Sequence, residues 1–260
     1  MRVFDSFSQD RGEQMVDSPN NRNGPAEDER ASMAETAGGR AVIYHLFVDF
    51  FSRLPDEDVL SRILGNDFQT VLFNLDGLQG SQYQNAVNQI RSFLSKGSSM
   101  ASEEILRELA VDRTRILRGV GTRSLKPPYE GMYTDNKEMG ETALQVKGLY
   151  RKAGIVPDET VHETPDYLCI ELDFMRQMCL REQEQWSSGA DVSETVETEL
   201  SFLQEHLGTW IHEFCRRAEK EAITGFFRGL LGILDAVIAT DMKYLQIICR
   251  SSARPLTVHL

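Results

Sequence analysis

The sequence is poor in cysteine, with four among 260 residues. Cys169, Cys179, Cys215 and Cys249 form no C-x-x-C pair, and their spacings match no zinc-binding pattern. We interpret them as small buried side chains in a reducing compartment. The five histidines are equally scattered, so the sequence predicts no structural metal.

A long apolar run is also absent. The most apolar stretch, residues 222–239, is interrupted by Arg228 and Asp235, so it is predicted to be a buried helix and not a membrane span. The N-terminus carries charges from Arg2 to Glu13 and lacks the apolar region of an export signal. These features predict a cytoplasmic protein.

Catalytic motifs are missing as well. The chain has no G-x-S-x-G, no glycine-rich phosphate loop and no H-E-x-x-H. The carboxylates Glu163/Asp166 and Glu171/Asp173 are available for acid–base chemistry, but Glu171 and Asp173 are two residues apart and point to different helix faces. We therefore predict no catalytic residue, no cofactor and no enzymatic activity. An all-α hydrolase would need a metal or nucleotide site that the sequence does not supply.

Charge is abundant, and its distribution is uneven. The chain has a net charge of −12, and residues 158–205 hold thirteen acids against two arginines, a net charge of −11. Residues 1–35 carry −4, and the remainder is slightly basic. Such a field repels nucleic acid and anionic membranes and attracts cationic partners. The alternative is that these acids cap helices and keep the protein soluble.

Apolar residues recur at steps of three and four, and no stretch alternates with the two-residue period of a strand. The fold class is therefore predicted to be all-α, a single bundle of about eight to ten helices. Residues 1–35 lack this periodicity and are predicted to be a disordered acidic tail. The helical domain is predicted over 36–250, followed by a C-terminal tail at 251–260.

Prolines, glycines and capping residues predict the helix boundaries. The first helix is expected from Thr36 to Pro55. The next helices are expected from Asp56 to Gly65, from Asp67 to Leu75 and from Ser81 to Gly97, and another is expected to start at Ser102. A helix is then expected from Lys137 to Gly154, and a break in the chain at Ser187–Gly189. The last helices are expected to start at Ser193, with a hinge at Gly208, and to run from Glu221 to Cys249.

The chain is organised around residues 126–180. Pro127 and Pro128 interrupt any helix, so the tyrosines that follow are expected on an irregular loop. Further on, Thr164 is expected to cap a helix whose first positions are Pro165 and Asp166. One predicted helix separates the two segments, which lets them pack side by side.

Four segments resemble the TorD/DmsD/NarJ family of molybdoenzyme chaperones. They are V-D-R-T-R-I-L-R-G-V at 111–120, P-P-Y-E-G-M-Y at 127–133, G-L-Y-R-K-A-G-I at 148–155 and P-D-Y-L-C-I-E-L-D-F-M at 165–175. Their order and spacing fit the family, as does H-L-G-T-W at 206–210. The resemblance covers about residues 40–250 and implies an all-helical bundle.

The resemblance also implies a function. Family members are cytoplasmic chaperones that bind the twin-arginine signal peptide, or the apo form, of a molybdoenzyme catalytic subunit and hold it until molybdopterin is inserted. Some bind guanine nucleotide weakly. An apolar groove with carboxylates at one end suits such a peptide, because two guanidinium groups precede its apolar segment. The client-peptide-binding residues are predicted to be Asp166, Tyr167, Glu130, Tyr129, Tyr133, Pro128, Ile116, Leu117, Arg115 and Glu171.

Two departures from the family pattern stand out. The first motif has Arg113–Leu117 where an aromatic is usual, and Tyr167 replaces the usual histidine. A tyrosine donates a hydrogen bond but does not become cationic near neutral pH. Other interpretations stay open: Tyr129 and Tyr133 as core residues, and Arg115 in an ion pair with Asp112 or Glu130. For the whole chain, the alternative is a helical adaptor that binds a folded partner without reading a signal peptide.

Overall fold

The computed structural model describes residues 27–252 except 74, 76, 77, 79, 98, 123, 124, 135–139 and 157–161. These residues form helices and no strand, which confirms the predicted all-α class. The helices are α1 (Glu27–Ser52), α2 (Glu57–Leu64), α3 (Asn66–Phe73), α4 (Ser81–Gly97), α5 (Ser102–Arg118), α6 (Glu130–Thr134), α7 (Glu141–Lys152), α8 (Leu168–Ser188), α9 (Ser193–Phe202), a π-helical turn (Leu203–Leu207), α10 (Gly208–Glu221) and α11 (Gly225–Ser252).

Most of the local boundary signals act as predicted. The Asp56 carboxylate accepts a hydrogen bond from Val59 N at 2.9 Å and caps α2, which ends before Gly65. Gly189 adopts the left-handed conformation that ends α8. The starts at Ser81, Ser102 and Ser193 are also confirmed.

Helix α1 packs against α8, and its start differs from the prediction. It begins at Glu27, not near Thr36, so residues 27–35 belong to the helical domain. The small side chains Ala34, Ala37 and Ala41 of α1 are buried. Alanine adds little to a hydrophobic pattern, which is why the sequence did not reveal these first turns of helix. Residues 1–26 and 253–260 of the predicted tails lie outside the described residues.

Helix α11 packs closely against α4. A Cβ atom added at Gly229 would lie 2.5 Å from Ile90 Cγ1 and would overlap the carbonyl oxygen of Ala86. The two backbones therefore approach to a distance that only glycine permits at this position.

The predicted hinge at Gly208 is wrong. Gly208 has helical angles, and the π-helical turn carries the chain from α9 into α10 without a break. A side chain here would meet the Leu203 carbonyl and, at 2.6 Å, Met242 Cε, so glycine is required for packing and not for bending.

Helix α11 begins at Gly225, not at the predicted Glu221. The buried Asp112 carboxylate accepts hydrogen bonds from Ile223 N at 2.8 Å and Thr224 N at 2.7 Å, and these bonds hold an extended connection between α10 and α11. Helix α7 begins at Glu141. Its predicted start at Lys137 and the predicted turn at 76–77 lie outside the described residues.

Among the described helices, none combines the length and hydrophobicity that a membrane crossing requires. The described residues also contain no group of three or more His, Cys, Asp or Glu side chains placed to hold a metal ion.

Candidate functional site

The proline loop and the segment before α8 lie side by side, as predicted. Glu130 N donates to Asp166 O and Leu168 N donates to Pro128 O, both at 2.9 Å. Between these bonds Tyr129 and Tyr167 form an antiparallel bridge, with ring centroids 5.0 Å apart. Residues 128–130 and 166–168, which are distant in sequence, are thus bonded to each other, and we call this pair of segments the crossing.

Asp166 belongs to this crossing and does not begin α8. The helix starts at Leu168 with Tyr167 at its N-cap, so the predicted cap at Thr164 and first turn at Pro165 are wrong. Instead the Asp166 carboxylate accepts from Gly131 N at 3.1 Å, in the first turn of α6, and from Thr164 Oγ1 at 2.6 Å. The bond from Gly131 N joins the two segments, the bond from Thr164 is local, and the side chain of Asp166 is fully buried.

The segment after the prolines is also more regular than predicted. Residues Glu130–Thr134 form the short helix α6 instead of an irregular loop. Tyr133 lies on this helix, where its ring packs 5.4 Å from the ring of Trp210 and its hydroxyl donates to Lys126 O at 2.8 Å. The core-packing interpretation of Tyr133 therefore describes its position.

Glu130 and Glu171 are buried beneath the crossing. His206 Nδ1 lies 3.1 Å from both Glu130 oxygens, and Trp210 Nε1 donates to Glu171 Oε2 at 3.1 Å. Burial, and then the neighbouring Glu130, raise the pKa of Glu171 well above its usual range. Glu171 Oε1 has no hydrogen-bond partner among the described residues.

A groove of about 520 Å³ opens beside Tyr167. We call it the leader groove, after the ligand that we propose for it below. It combines carboxylates with apolar side chains, and Val156 at its edge is 77% exposed. Its lining includes Arg118, Ile155, Val156, Glu163, Tyr167, Ile170 and Asp173.

Glu163 carries the charge on one side of the leader groove. Arg118 Nη2 contacts its carboxylate at 2.6 Å, and Tyr129 Oη donates to it at 2.5 Å. Burial alone would raise the pKa of Glu163, but these two hydrogen bonds outweigh it and lower the pKa. Asp173 is a second carboxylate in the groove, and it pairs with Arg176 at 2.6 Å.

The predicted site residues fall into two sets. Pro128, Tyr129, Glu130, Asp166, Tyr167 and Glu171 meet at the crossing, although in this structure all six are buried. The other four lie elsewhere. Tyr133 packs against Trp210 from α6, Ile116 and Leu117 are core residues, and Arg115 pairs with Glu221 at 3.0 Å instead of with Asp112 or Glu130.

Sequence reasoning missed the exposed part of the groove. Arg118 stood inside the first family-like segment, and Glu163 and Asp173 were considered only as members of acid–base pairs. Val156 directly follows the G-L-Y-R-K-A-G-I segment, but its 77% exposure is visible only in the structure, so the sequence offered no signal for this surface.

The fold and the groove define an all-helical protein that presents a mixed acidic and apolar cleft. The chain belongs to the family described as nitrate reductase delta subunit, whose profile matches residues 79–216, more than half of its length. The match spans α4 through most of α10 and includes the crossing and all of the leader-groove lining except Val48 and Ser52 of α1.

Individual relatives are named as chaperones. Chaperone protein TorD of Aliivibrio salmonicida is 23% identical over 209 residues, covering 79% of this chain and 94% of that protein. Chaperone protein TorD of Vibrio cholerae serotype O1, strain El Tor Inaba N16961, is 25% identical over 199 residues, covering 76% and 87%. Chaperone protein TorD of Vibrio vulnificus, strain CMCP6, is 28% identical over 120 residues, covering 45% and 55%. These findings confirm the suspected TorD-type family and agree with the expectation of a chaperone instead of an enzyme.

Proposed function

We propose that the chain is a chaperone for the catalytic subunit of a molybdopterin-containing oxidoreductase. It binds the twin-arginine leader or the apo form of that subunit and assists cofactor insertion before export. Membership in the nitrate reductase delta subunit family and similarity to proteins named Chaperone protein TorD support this role.

The leader groove is the proposed binding site for the leader. A twin-arginine leader carries two guanidinium groups ahead of an apolar segment. Glu163 and Asp173 supply carboxylates for the guanidinium groups, while Ile155, Val156 and Ile170 supply a surface for the apolar segment. This combination of charges and apolar side chains in one groove is the observation that carries the proposal.

Resident arginines show that guanidinium groups fit these carboxylates. Arg118 already contacts Glu163 and Arg176 contacts Asp173, each at 2.6 Å. Both resident pairs are partly exposed, and such pairs contribute only about 0–1 kcal/mol. A leader arginine therefore displaces or joins them at small cost.

The predicted residues at the crossing act in this proposal as positioning residues. Tyr167 forms a wall of the leader groove, and Tyr129 orients Glu163 through its hydroxyl. The Asp166 carboxylate holds the two segments together, and the Glu130 and Glu171 carboxyl groups lie beneath them, against His206 and Trp210.

The test is calorimetric titration of a synthetic leader peptide, with two consecutive arginines before an apolar segment, into the full chain. We expect Asp173→Asn to weaken binding about tenfold, because a charge-assisted hydrogen bond contributes about 1.5–3 kcal/mol. Glu184→Gln is the matched control, since it removes one charge from an exposed position of the same helix.

The same titration is repeated with lysines in place of the two arginines. Lysine cannot form the bidentate pair with a carboxylate, so the lysine peptide is expected to bind more weakly. Equal affinity for both peptides, or equal losses in Asp173→Asn and Glu184→Gln, would place the leader elsewhere.

The description of the family as a reductase delta subunit favours a second candidate, a helical adaptor that binds a folded subunit and ignores its leader. Co-purification with client subunits that retain or lack their leader separates the two roles. Loss of binding on leader removal supports the first, and unchanged binding supports the adaptor. Weak binding of guanine nucleotide stays a prediction from the family resemblance.

A further inference from the structure

A second groove lies between α4, α5 and the start of α11, and it has a volume of about 830 Å³. We call it the basic groove. It is lined by Phe93 and Lys96 of α4, Arg107 and Val111 of α5, and Ile223 and Arg228 around the start of α11. It shares no lining residue with the leader groove.

Its charge is opposite to that of the protein. Lys96, Arg107 and Arg228 are exposed, and none of them forms an ion pair with a described residue. Glu108 is the single acid in the lining, so the groove has a net charge of +2 in a chain of −12. Three such cations around one groove are a complement for an anionic partner.

Large apolar side chains lie among these cations. Val111 is 56% exposed and Ile223 is 58% exposed, and both line the groove beside Phe93. Exposed branched side chains within a charged rim are typical of a surface that another protein covers.

The floor of the groove is rigid. Asp112 is fully buried and accepts hydrogen bonds from Ile223 N, Thr224 N and Thr224 Oγ1 at 2.6–2.8 Å. A Cβ atom at Gly225 would lie 2.7 Å from Gln89 O, so α11 starts in direct contact with α4. The loop that presents Ile223 is therefore preorganised, which lowers the entropic cost of binding.

We propose that the basic groove binds an acidic, apolar segment of a partner protein, in which carboxylates flank an apolar side chain. The carboxylates pair with Lys96, Arg107 and Arg228, and the apolar side chain covers Val111 and Ile223. A small anion would leave that apolar surface exposed, so the lining favours a peptide segment. A twin-arginine leader would be repelled here, so the two grooves take different ligands and the basic groove functions independently of the leader groove.

The probe is a synthetic helical peptide of about four turns, with glutamates flanking a leucine stripe. A second peptide has lysine in place of every glutamate. We expect the acidic peptide to bind the full chain, more weakly as salt is raised, and the basic peptide to bind at least tenfold more weakly at this groove. Inorganic phosphate is added as a competitor, because it distinguishes a site for a small anion from a site for a peptide segment.

Two triple variants separate local from general electrostatics. The first variant reverses the charge of the basic groove and combines Lys96→Glu, Arg107→Glu and Arg228→Glu. The second makes the same change in net charge at other exposed positions and combines Arg216→Glu, Lys243→Glu and Arg250→Glu. We expect the first variant to weaken acidic-peptide binding at least tenfold and the second to weaken it less than threefold. Circular dichroism confirms that both variants are folded.

Carbodiimide cross-linking then locates the peptide, because it joins a carboxylate to an amine and leaves guanidinium groups unreacted. We expect a cross-link between the peptide and Lys96, and its loss with unchanged affinity in Lys96→Arg. The proposal is overturned if the acidic peptide does not bind, if both triple variants weaken it equally, if phosphate displaces it fully at low concentration, or if no cross-link maps to Lys96.

Discussion

Arg40 Nε donates to Asp241 Oδ1 at 2.5 Å, and this contact joins α1 to α11 across 201 positions of sequence. The same guanidinium contacts Glu182 of α8 and Glu199 of α9, so one arginine ties four helices together. All four side chains are buried or nearly so. Burial alone would lower the pKa of Arg40, but the surrounding acids, Asp241 first, raise it.

Removing Arg40 is expected to destabilise the protein strongly. Arg40→Ala leaves three buried carboxyl groups without the guanidinium that they contact, and breaking a buried ion pair in this way costs about 3–5 kcal/mol. Urea unfolding at neutral pH measures the loss. Arg53→Ala is the matched control, because Arg53 forms its ion pairs at the surface and its removal is expected to cost less than about 1 kcal/mol. Equal losses in the two variants would contradict the structural role of the cluster.

Glu199 makes stability depend on pH. Burial raises its pKa to about 8, although Arg40 acts in the opposite direction. Unfolding returns the carboxyl to its ordinary range, so between about pH 5 and pH 8 the folded state holds a proton that the unfolded state has lost. The contribution of Glu199 to stability is therefore complete at low pH and falls as pH rises, by at most about 1.4 kcal/mol per pH unit.

Glu199→Gln removes this titration. We expect the difference in unfolding free energy between the variant and the parent chain to shift in favour of the variant as pH rises from about 5 to about 8. Urea denaturation across that range is the measurement. A difference that stays constant with pH would show that Glu199 is ionised throughout.

Some of this architecture follows from local sequence. Asp56, Gly97 and Gly189 mark helix ends by their own conformational chemistry, and the structure confirms each. The side-by-side packing of the proline loop with the segment before α8 is also confirmed. Two helix breaks with one helix between them were enough to predict it.

Local sequence patterns did not indicate which charged residues are buried. Glu182 and Glu199 belong to the acidic span that the sequence suggested as a cationic-partner field or a solvated face, yet both are fully buried around Arg40. Glu130 and His206 lie 76 positions apart and meet only in the folded core. Hydrophobic periodicity does not indicate which polar residues pair with each other, so these buried pairs could be identified only from the tertiary structure.

Close packing of α4 against α11 gives a further prediction. Gly229→Ala would place a methyl group against Ile90 and the Ala86 carbonyl, and overpacking of this kind costs about 1–3 kcal/mol. Gly148→Ala in α7 is the control, because nothing lies within 4 Å of its added Cβ and a mid-helix alanine is expected to stabilise by about 0.5–1 kcal/mol. Thermal unfolding of both variants is the measurement. Stabilisation by Gly229→Ala would show that the two helices separate readily.

The start of α1 gives the last prediction, which compares two truncations. Deleting residues 1–26 leaves every described residue of α1 in place, and because this segment lacks apolar periodicity we expect little change in stability. Deleting residues 1–35 also removes the first turns of α1, including buried Ala34 and Met33, which packs against the core. It removes the acids Glu27, Asp28 and Glu29, which the helix dipole favours at this end. We expect the longer deletion alone to cost about 1–3 kcal/mol, which lowers Tm by several degrees for a domain of this size. Calorimetry of the two proteins decides the matter: equal Tm values would mean that residues 27–35 contribute nothing, and an equal drop in both would mean that the segment before Glu27 is what stabilises the domain.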